Sequence, residues 1–297
     1  MIHILDLQFK GLPHVIAAFL VETLEGPVLV ETGPYSTFPN LVSEVKRVGY
    51  NIEDIQHVLL SHIHFDHAGA SWALAEKGAK IHLHPFGFNH MLDPSKLVQS
   101  ATRIYGDEMD TLWGALNPIA EDHLIICDHG EEVIIGDKSF IAWHTPGHAR
   151  HHIAWQLDDV MFTGDVGGIK IDGGLIVPPC PPPDINLEDW NNSIELIIKS
   201  SVDKLYLTHF GLIEDKASHF KKLKYILNDW AEWMKPYALS NKPLDEVTPL
   251  FQEYVTSQLS DFGLSGEAID QYEAANPAWM SVAGLMRYWR KKKGVKG

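Results

Sequence analysis

The chain has 297 residues, of which 45% are hydrophobic and 21% are charged, and its formal net charge at pH 7 is −15. These values are typical of a globular protein with one large domain and an appendage, or with two domains. The negative charge argues against a nucleic-acid partner, because a protein that binds a polyanion needs a basic surface.

The ends of the chain and its cysteines exclude further classes. The first residues, MIHILDLQFK, lack the charged segment and the long apolar stretch of a signal peptide. No apolar run is long enough to span a bilayer. The two cysteines, Cys127 and Cys180, lie far apart and outside any CxxC spacing, which argues against a disulfide framework and a cysteine zinc site. We therefore expect a cytoplasmic protein without a membrane partner.

The first part of the chain alternates strand-like and helix-like runs. A hairpin is predicted at 15–33, where the turn signal LEGP separates two runs rich in β-forming residues. Helical patterns follow at 38–49 and 70–78, each ending on a glycine. Buried strands are predicted at 55–61 and 80–84.

A longer, more polar excursion follows at 85–122 and contains a predicted helix at 94–106. Such an excursion between strands often forms a wall over a site. A helix at 187–201 and a strand at 204–210 end this part of the chain. Between them and the excursion we predict a meander of short strands in the segments LIICD, EEVIIG, SFIAWHT, HIAWQL and DVMFTGD.

The last part of the chain has a different pattern. Apolar residues at helical spacing predict a helix at 216–239, and 245–259 and 278–290 are also helical in pattern. We expect residues 1–212 to form an α/β domain and residues 213–297 to form a helical region packed on it. The order of hairpins and helices predicts two sheets sandwiched between helices.

Metal-ligand chemistry is concentrated in the segment SHIHFDHAGA, which places His62, His64, Asp66 and His67 within six positions. In an extended segment residues i and i+2 point to the same side, so His62 and His64 can bind one metal ion from a single stretch of backbone. A turn directly after them would aim Asp66 and His67 at a second point nearby. Four adjacent groups of this kind would repel one another without a cation, which favours a metal site over a polar loop.

Three further ligand-type residues follow strands predicted later in the chain. His148 follows the Pro-Gly turn of WHTPGHARHH, Asp165 follows the apolar strand of MFTGDVGG, and His209 ends the strand of LYLTHFG. Sheets hold the loops at their strand ends in place. Each residue alone is compatible with a cap, core or turn position, but together with the HIHFDH segment they indicate one metal centre.

These motifs resemble the metallo-β-lactamase superfamily, in its binuclear hydrolase branch. The HxHxDH motif is matched in full at 62–67, and the later ligands of the family are matched by His148, Asp165 and His209. The resemblance covers about residues 15–212. It implies an α/β fold of the αββα four-layer sandwich type for the catalytic domain, with the site at one edge of the two sheets.

The resemblance also implies a ligand set for two divalent metal ions. Two cations held about 3.5–4 Å apart can share one water and lower its pKa toward ~7, which supplies a hydroxide that attacks a carbonyl carbon or a phosphorus centre. Asp66 would also orient that hydroxide. Imidazole and carboxylate ligands without thiolate favour zinc, with iron and manganese as alternatives. One metal would be bound by His62, His64 and His148, the other by Asp66, His67 and His209, with Asp165 bridging the two.

Other residues are expected to support this centre. TPGHARHH resembles the TPGHxxxH form of the family, in which His152 would orient the site without binding a metal. The early DTG turn of the family is ETG here, so Glu31 replaces the usual supporting aspartate. In the excursion Arg103, Tyr105 and Trp113 are candidate pocket residues, and Tyr105 is a candidate donor to a leaving group.

A helical region after the last ligand is similar to glyoxalase II, a thioester hydrolase, and the order of the later ligand loops also resembles lactone hydrolases. We therefore expect hydrolysis of a small ester, thioester or lactone by a cytoplasmic enzyme. The small-molecule substrate is the expected partner, and the exposed helical region offers a surface for a homodimer. A β-lactam substrate is disfavoured because those enzymes are normally exported.

Alternative functions remain open at this point. A phosphodiesterase would use the same hydroxide on a phosphoryl group. A relative of the sulfur dioxygenases would bind one iron and use oxygen, and metal stoichiometry distinguishes it from a binuclear hydrolase. Flavin-linked diiron oxygen reductases generally carry a glutamate where His64 stands. A non-enzymatic relative would be expected to have lost ligands, and this chain has all seven.

Overall fold

A computed structural model describes residues 1–294, which form two six-stranded sheets with helices on the outside of each. The first sheet combines an antiparallel edge strand and the N-terminal hairpin with three strands that run parallel to one another and to the second strand of the hairpin. Parallel strands end at the same edge of a sheet, so the loop that follows the fourth strand opens there. In order across the sheet, its strands are β1 (Ile2–Asp6), β2 (Ala17–Thr23), β3 (Gly26–Val30), β4 (His57–Leu59), β5 (Lys80–Leu83) and β6 (Leu124–Ile126).

The second sheet is the predicted meander with one crossover. Its strands lie side by side in chain order, and all neighbours pair antiparallel except the fourth and fifth, which pair parallel through a crossover helix. The strands are β7 (Glu132–Ile135), β8 (Lys138–His144), β9 (Ile153–Leu157), β10 (Val160–Phe162), β11 (Lys204–Leu207) and β12 (Gly211–Ile213).

The two sheets pack face to face over an apolar layer. Phe19 of β2, Phe140 of β8 and Phe162 of β10 belong to this layer, and all three side chains are buried. The indole of Trp155 on β9 donates a hydrogen bond to the carbonyl of Leu60 at 2.9 Å. This bond ties the second sheet to the segment that leads into the HIHFDH motif.

Helices cover the outer face of each sheet. A separate hydrophobic cluster joins the first sheet to the helices of the excursion and to the helix after β3. The helices before residue 213 are α1 (Phe38–Arg47), α2 (Phe65–Ala68), α3 (Ser71–Ala75), α4 (Pro85–Leu92), α5 (Ser95–Tyr105), α6 (Met109–Leu112) and α7 (Leu187–Lys199).

The C-terminal region is helical, as predicted. Trp230, Phe251 and Leu285 from this region share one buried cluster with Trp190 of α7 and Leu205 of β11. The division at residue 212 stays a prediction. The helices of the region are α8 (Lys216–Leu239), α9 (Leu244–Asp261), α10 (Glu267–Ala275) and α11 (Ala278–Lys292).

The predicted α/β sandwich with a helical C-terminal region is therefore confirmed. Six elements were not identified from the sequence, namely β1, β12, α2, α4, α6 and α10. β12 has three residues and α10 has nine, and runs this short give weak periodic signals. Within residues 1–294, no helix has the length and apolar character needed to cross a membrane.

Candidate metal centre

The candidate ligands lie in the four connections that follow β4, β8, β10 and β11, and Asp66 and His67 belong to the short helix α2 within the first of these. In the first loop His64 has extended backbone, with φ −67° and ψ 155°, and directly precedes α2. The chain therefore turns between His64 and Asp66, as the sequence predicts. The amide of Ile153 on β9 donates to the carbonyl of Ser61 at 2.7 Å, which fixes this loop to the second sheet.

The first group of candidate ligands is His62, His64 and His148. His64 Nδ1 lies 2.9 Å from His62 Nε2 and 3.1 Å from His148 Nε2, so three ring nitrogens face one point. The second ring nitrogen of His148 and of His62 lies close to another polar group of the protein. His148 Nδ1 lies 2.9 Å from the carbonyl of Pro179, and His62 Nδ1 lies 2.9 Å from the hydroxyl of Ser61. A hydrogen bond from His148 Nδ1 to a carbonyl leaves Nε2 unprotonated in the neutral ring and free to bind a metal.

The second group is Asp66, His67, Asp165 and His209, whose ligand atoms also lie close together. Asp165 Oδ1 lies 3.2 Å from His67 Nε2 and 3.4 Å from His209 Nε2. Asp66 Oδ2 lies 3.6 Å from each of the same two nitrogens. His209 Nδ1 is 2.7 Å from the carbonyl of Val15, which turns Nε2 toward the group.

Asp165 faces both groups. Its Oδ1 lies among the ligands of the second group, and its Oδ2 lies 3.2 Å from His148 Nε2 in the first. Asp165 is 3% exposed, so both oxygens are held in this position with little access to water. This is the arrangement that a bridging carboxylate requires.

The donor set of the second group fits a cation. Among the described residues, His67 Nε2, Asp165 Oδ1 and His209 Nε2 are buried and have no hydrogen-bond partner. Buried polar atoms without a partner are costly unless an ion or water satisfies them. The Nδ1 atoms of His67 and His209 already face other protein groups, the carboxylate of Glu31 and the carbonyl of Val15. The three unsatisfied atoms therefore point at a position that a divalent metal would fill.

Burial keeps the first group neutral. It holds the pKa of His62 well below the ordinary value, and the neighbouring histidines lower it further. The pKa of His64 falls to about 3, from burial and then from His148. Burial also lowers the pKa of His148, against the opposing effect of Asp165. Neutral imidazole is the form that binds metals.

The second group has the opposite electrostatic balance. Burial disfavours a charge on His209, but Asp165 and Asp66 raise its pKa to about 9. Burial also opposes ionisation of Asp66, yet His67 and His209 lower its pKa to about 2. The pKa of Asp165 is likewise held well below its ordinary value by the surrounding histidines despite burial. The two carboxylates therefore stay ionised and are stabilised by positive charge beside them, which protonated histidines or a metal can supply.

Glu31, the departure from the family motif, lies behind the second group. It is 1% exposed and has a left-handed φ of 65°, which is uncommon for a residue other than glycine. Its Oε1 accepts a hydrogen bond from the amide of Ser61 at 3.2 Å, and its Oε2 lies 3.4 Å from His67 Nδ1. Glu31 thus places a carboxylate behind a candidate ligand, where such groups orient a ring and increase its basicity.

His152 lies outside both groups and contacts the loop that holds Asp165. Its Nδ1 is 2.8 Å from Thr145 Oγ1, and its Nε2 accepts a hydrogen bond from the amide of Val166 at 3.4 Å. Gly164 makes room for this contact, because a Cβ there would lie 2.8 Å from His152 Nε2. This placement agrees with an orienting role.

Of the three candidate pocket residues, two line a cavity beside the candidate metal centre and one does not. Tyr105 and Trp113 line a cavity of about 380 Å³ that opens onto Asp66 and His209. Arg103 is exposed on α5 and does not line this cavity.

The sequence analysis missed His151 as a neighbour of the first group. Its ring lies 5.5 Å from that of His64 and 6.0 Å from that of His62, measured between centroids. The amide of Ile63 is 3.5 Å from its Nδ1. The run of two histidines at 151–152 was the available signal, and only the second matched a motif.

Comparison with known proteins gives the family. A family model described as Metallo-beta-lactamase superfamily matches residues 11–209. The metallo-beta-lactamase fold-containing protein ST1585 of Sulfurisphaera tokodaii is 29% identical over 178 residues, which cover 58% of this chain and 67% of that protein. The probable metallo-hydrolase MJ0888 of Methanocaldococcus jannaschii is 26% identical over 66% of this chain and 88% of its own length. An N-acyl homoserine lactonase of Bacillus cereus is 38% identical over 80 residues, only 19% of this chain and 32% of the lactonase.

Solved structures show the same fold. The crystal structure of ST1585 superposes with a TM-score of 0.66 at 19% identity, covering 98% of both chains. The metallo-beta-lactamase family protein TTHA1429 from Thermus thermophilus superposes with a TM-score of 0.68 at 19% identity, covering 100% of this chain and 95% of the other. The similarity to both structures includes the helical C-terminal region.

Proposed function

The chain belongs to the metallo-β-lactamase superfamily, and on that basis we propose that it is a binuclear metal-dependent hydrolase of a small ester, thioester or lactone. One observation carries the proposal. Seven ligand-type side chains from four loops converge in two groups, and the two oxygens of Asp165 face one group each.

Each candidate ligand has a proposed place in the site. Metal ions bound there would polarise the substrate carbonyl and ionise a water molecule for attack. The imidazole and carboxylate donors suit zinc, with iron and manganese as alternatives. We assign one metal to His62, His64 and His148, the other to Asp66, His67 and His209, and both to Asp165.

Three residues around the candidate metal positions have further proposed roles, namely Asp66, His152 and Tyr105. Asp66 is the more exposed of the two candidate carboxylates, at 21%, and lies on the cavity wall, from which it would orient the attacking hydroxide. His152 holds the Asp165 loop through the amide of Val166. Tyr105 lines the same cavity, and burial raises its pKa well above the ordinary value, so it remains a neutral donor for a leaving group.

Support for the carbonyl substrate comes from the relatives. The N-acyl homoserine lactonases resemble this chain in a segment that spans about a third of their own length. A lactone, an ester and a thioester share a carbonyl carbon with a leaving oxygen or sulfur, so one site of this kind accommodates all three classes.

The proposal is tested by metal analysis together with a panel of lactones, thioesters, aryl esters and phosphodiesters. We expect two metal ions per chain and turnover of a carbonyl substrate. His64→Ala should abolish turnover and leave the fold intact, whereas His90→Ala, an exposed histidine on α4, should change neither. One iron per chain with consumption of oxygen, or unchanged turnover in His64→Ala, would contradict the proposal.

A further inference from the structure

The cavity beside the candidate metal centre has chemically distinct sides. One side is formed by the candidate ligands His64, Asp66, Asp165 and His209, so a molecule in the cavity lies against the centre. The volume of about 380 Å³ falls in the range of small-molecule sites. The remaining walls would bind the part of the substrate that does not react, so their chemistry determines which groups that part can carry.

One wall is a face of α5. Leu97, Ala101, Ile104 and Tyr105 all line the cavity. Their spacing of i, i+4, i+7 and i+8 places them on one side of the helix. These four side chains present mainly carbon to the cavity, and the polar groups of this wall are the hydroxyls of Tyr105 and of Ser100, which also lines the cavity.

The neighbouring wall is the first turn of α11. Trp279 and Met280 line the cavity there, far along the chain from α5. The Tyr105 hydroxyl lies 3.6 Å from Met280 Sδ, and the Tyr105 ring meets the Trp279 ring edge-on with 5.6 Å between centroids. Tyr105 also meets Trp113 edge-on at 5.2 Å. The two walls therefore meet at Tyr105 and form an apolar slot within the cavity.

The charges on the walls disfavour a polyanionic substrate. Among residues 1–294, the charged side chains that line the cavity, apart from the candidate ligands, are Lys10, Glu108 and Glu273. Phosphate and carboxylate groups are usually recognised by clusters of arginine and lysine. With one lysine and two carboxylates, this cavity favours an uncharged group.

We propose that the substrate carries an uncharged apolar arm that lies between α5 and the first turn of α11, and that Trp279 and Met280 determine the preference for that arm. This inference rests on the proposed function for the identity of the reacting carbonyl. Apart from Tyr105, the side chains that bind the arm take no part in the chemistry.

Two homologous series test the proposal. The first is hydrolysis of the p-nitrophenyl esters of acetate, butanoate, hexanoate and octanoate. The second is binding of the non-hydrolysable ketones 2-butanone, 2-hexanone and 2-octanone, measured by calorimetry. For the wild-type protein we expect kcat/KM and the association constant to rise roughly threefold to fourfold for each methylene until the slot is filled, because each buried methylene contributes a similar increment.

Variants locate the effect. Trp279 and Met280 are both partly exposed, so their replacement leaves the buried clusters intact. Trp279→Ala and Met280→Ala should flatten both series to below about twofold per methylene. Tyr225→Ala is the control, since Tyr225 is 70% exposed on α8 and does not line the cavity.

The outcomes separate this proposal from the proposed function. Graded ketone binding without hydrolysis of any ester supports the slot and contradicts the hydrolase. If kcat/KM does not depend on ester chain length and the three ketones bind with equal association constants, the proposal of an apolar slot is overturned. A graded series that survives in both variants overturns the assignment to Trp279 and Met280. If Trp279→Ala does not fold, the wild-type series and Met280→Ala decide.

Discussion

At the scale of single residues, Glu31 is the buried carboxylate behind the second group of candidate ligands. Its Oε2 lies 3.4 Å from His67 Nδ1, and its Oε1 accepts from the amide of Ser61. Glu31→Gln keeps the shape and removes the charge. We predict a loss of roughly 10–100-fold in metal affinity, as for other residues that support a metal ligand. Competition with a metal chelator measures this, with the exposed Glu25→Gln as control. Equal affinities would show that Glu31 has no electrostatic role.

Tyr105 is the second residue with a defined expectation. Tyr105→Phe removes the hydroxyl and keeps the ring contacts with Trp113 and Trp279. We predict a drop in kcat of about 10²-fold for alkyl esters, whose leaving groups need a proton. The loss should be much smaller for nitrophenyl esters, whose leaving group is stable as an anion. Tyr225→Phe on the surface of α8 is the control. Equal losses for both leaving groups would exclude proton donation by Tyr105.

At the scale of elements, the loop that carries His148 is packed tightly on α7. A Cβ on Gly147 would lie 2.3 Å from Trp190 Cα, and Gly147 has a φ of +138°. Gly147→Ala therefore combines backbone strain with overpacking. Overpacking alone costs about 1–3 kcal/mol. The control is Gly263→Ala, because Gly263 has a φ of +99° and its added Cβ would meet nothing within 4 Å. We predict that Gly147→Ala lowers the free energy of unfolding by about 1–3 kcal/mol or more beyond the effect of Gly263→Ala. Denaturant unfolding of both variants tests this, and equal losses would contradict the packing argument.

The elements also show what the sequence can predict. The candidate ligands were identifiable because each follows a strand and because four of them are adjacent in the HIHFDH segment. The apolar slot was not identifiable. Tyr105 and Met280 lie 175 positions apart, and their contact depends on how α11 packs against the excursion. The prediction that Arg103 lines the pocket was wrong, because its position on α5 turns its side chain to solvent.

At the scale of the whole molecule, buried histidines outside the candidate centre link stability to pH. Burial, and then His57, lowers the pKa of His82 to about 3, and burial, and then His144, lowers that of His84 to about 4. Both rings are neutral in the folded protein, whereas an unfolded histidine titrates near pH 6.5. Their contribution to stability is therefore present above about pH 6.5 and is lost as the pH falls toward 4.

This gives a prediction for metal-free protein. Each such histidine should reduce the free energy of unfolding by about 1.4 kcal/mol per pH unit below pH 6. His82→Met replaces the ring with an apolar side chain and should make the decline between pH 6 and 4.5 shallower by about that amount. Denaturant unfolding across this range measures both slopes. An unchanged slope in His82→Met would show that His82 does not contribute to the acid sensitivity.

The fold as a whole was predictable from the alternation of hairpins and helices and from the family motifs, and the helical region after residue 213 from its apolar stripe. We propose that this fold binds two metal ions that share Asp165. A crystal structure of the protein grown with zinc, with anomalous scattering at the metal edge, tests it most directly. We predict two peaks, one among His62, His64 and His148 and one among Asp66, His67 and His209, each in contact with one oxygen of Asp165. A single peak, or none, with the seven side chains pointing apart, would contradict the claim.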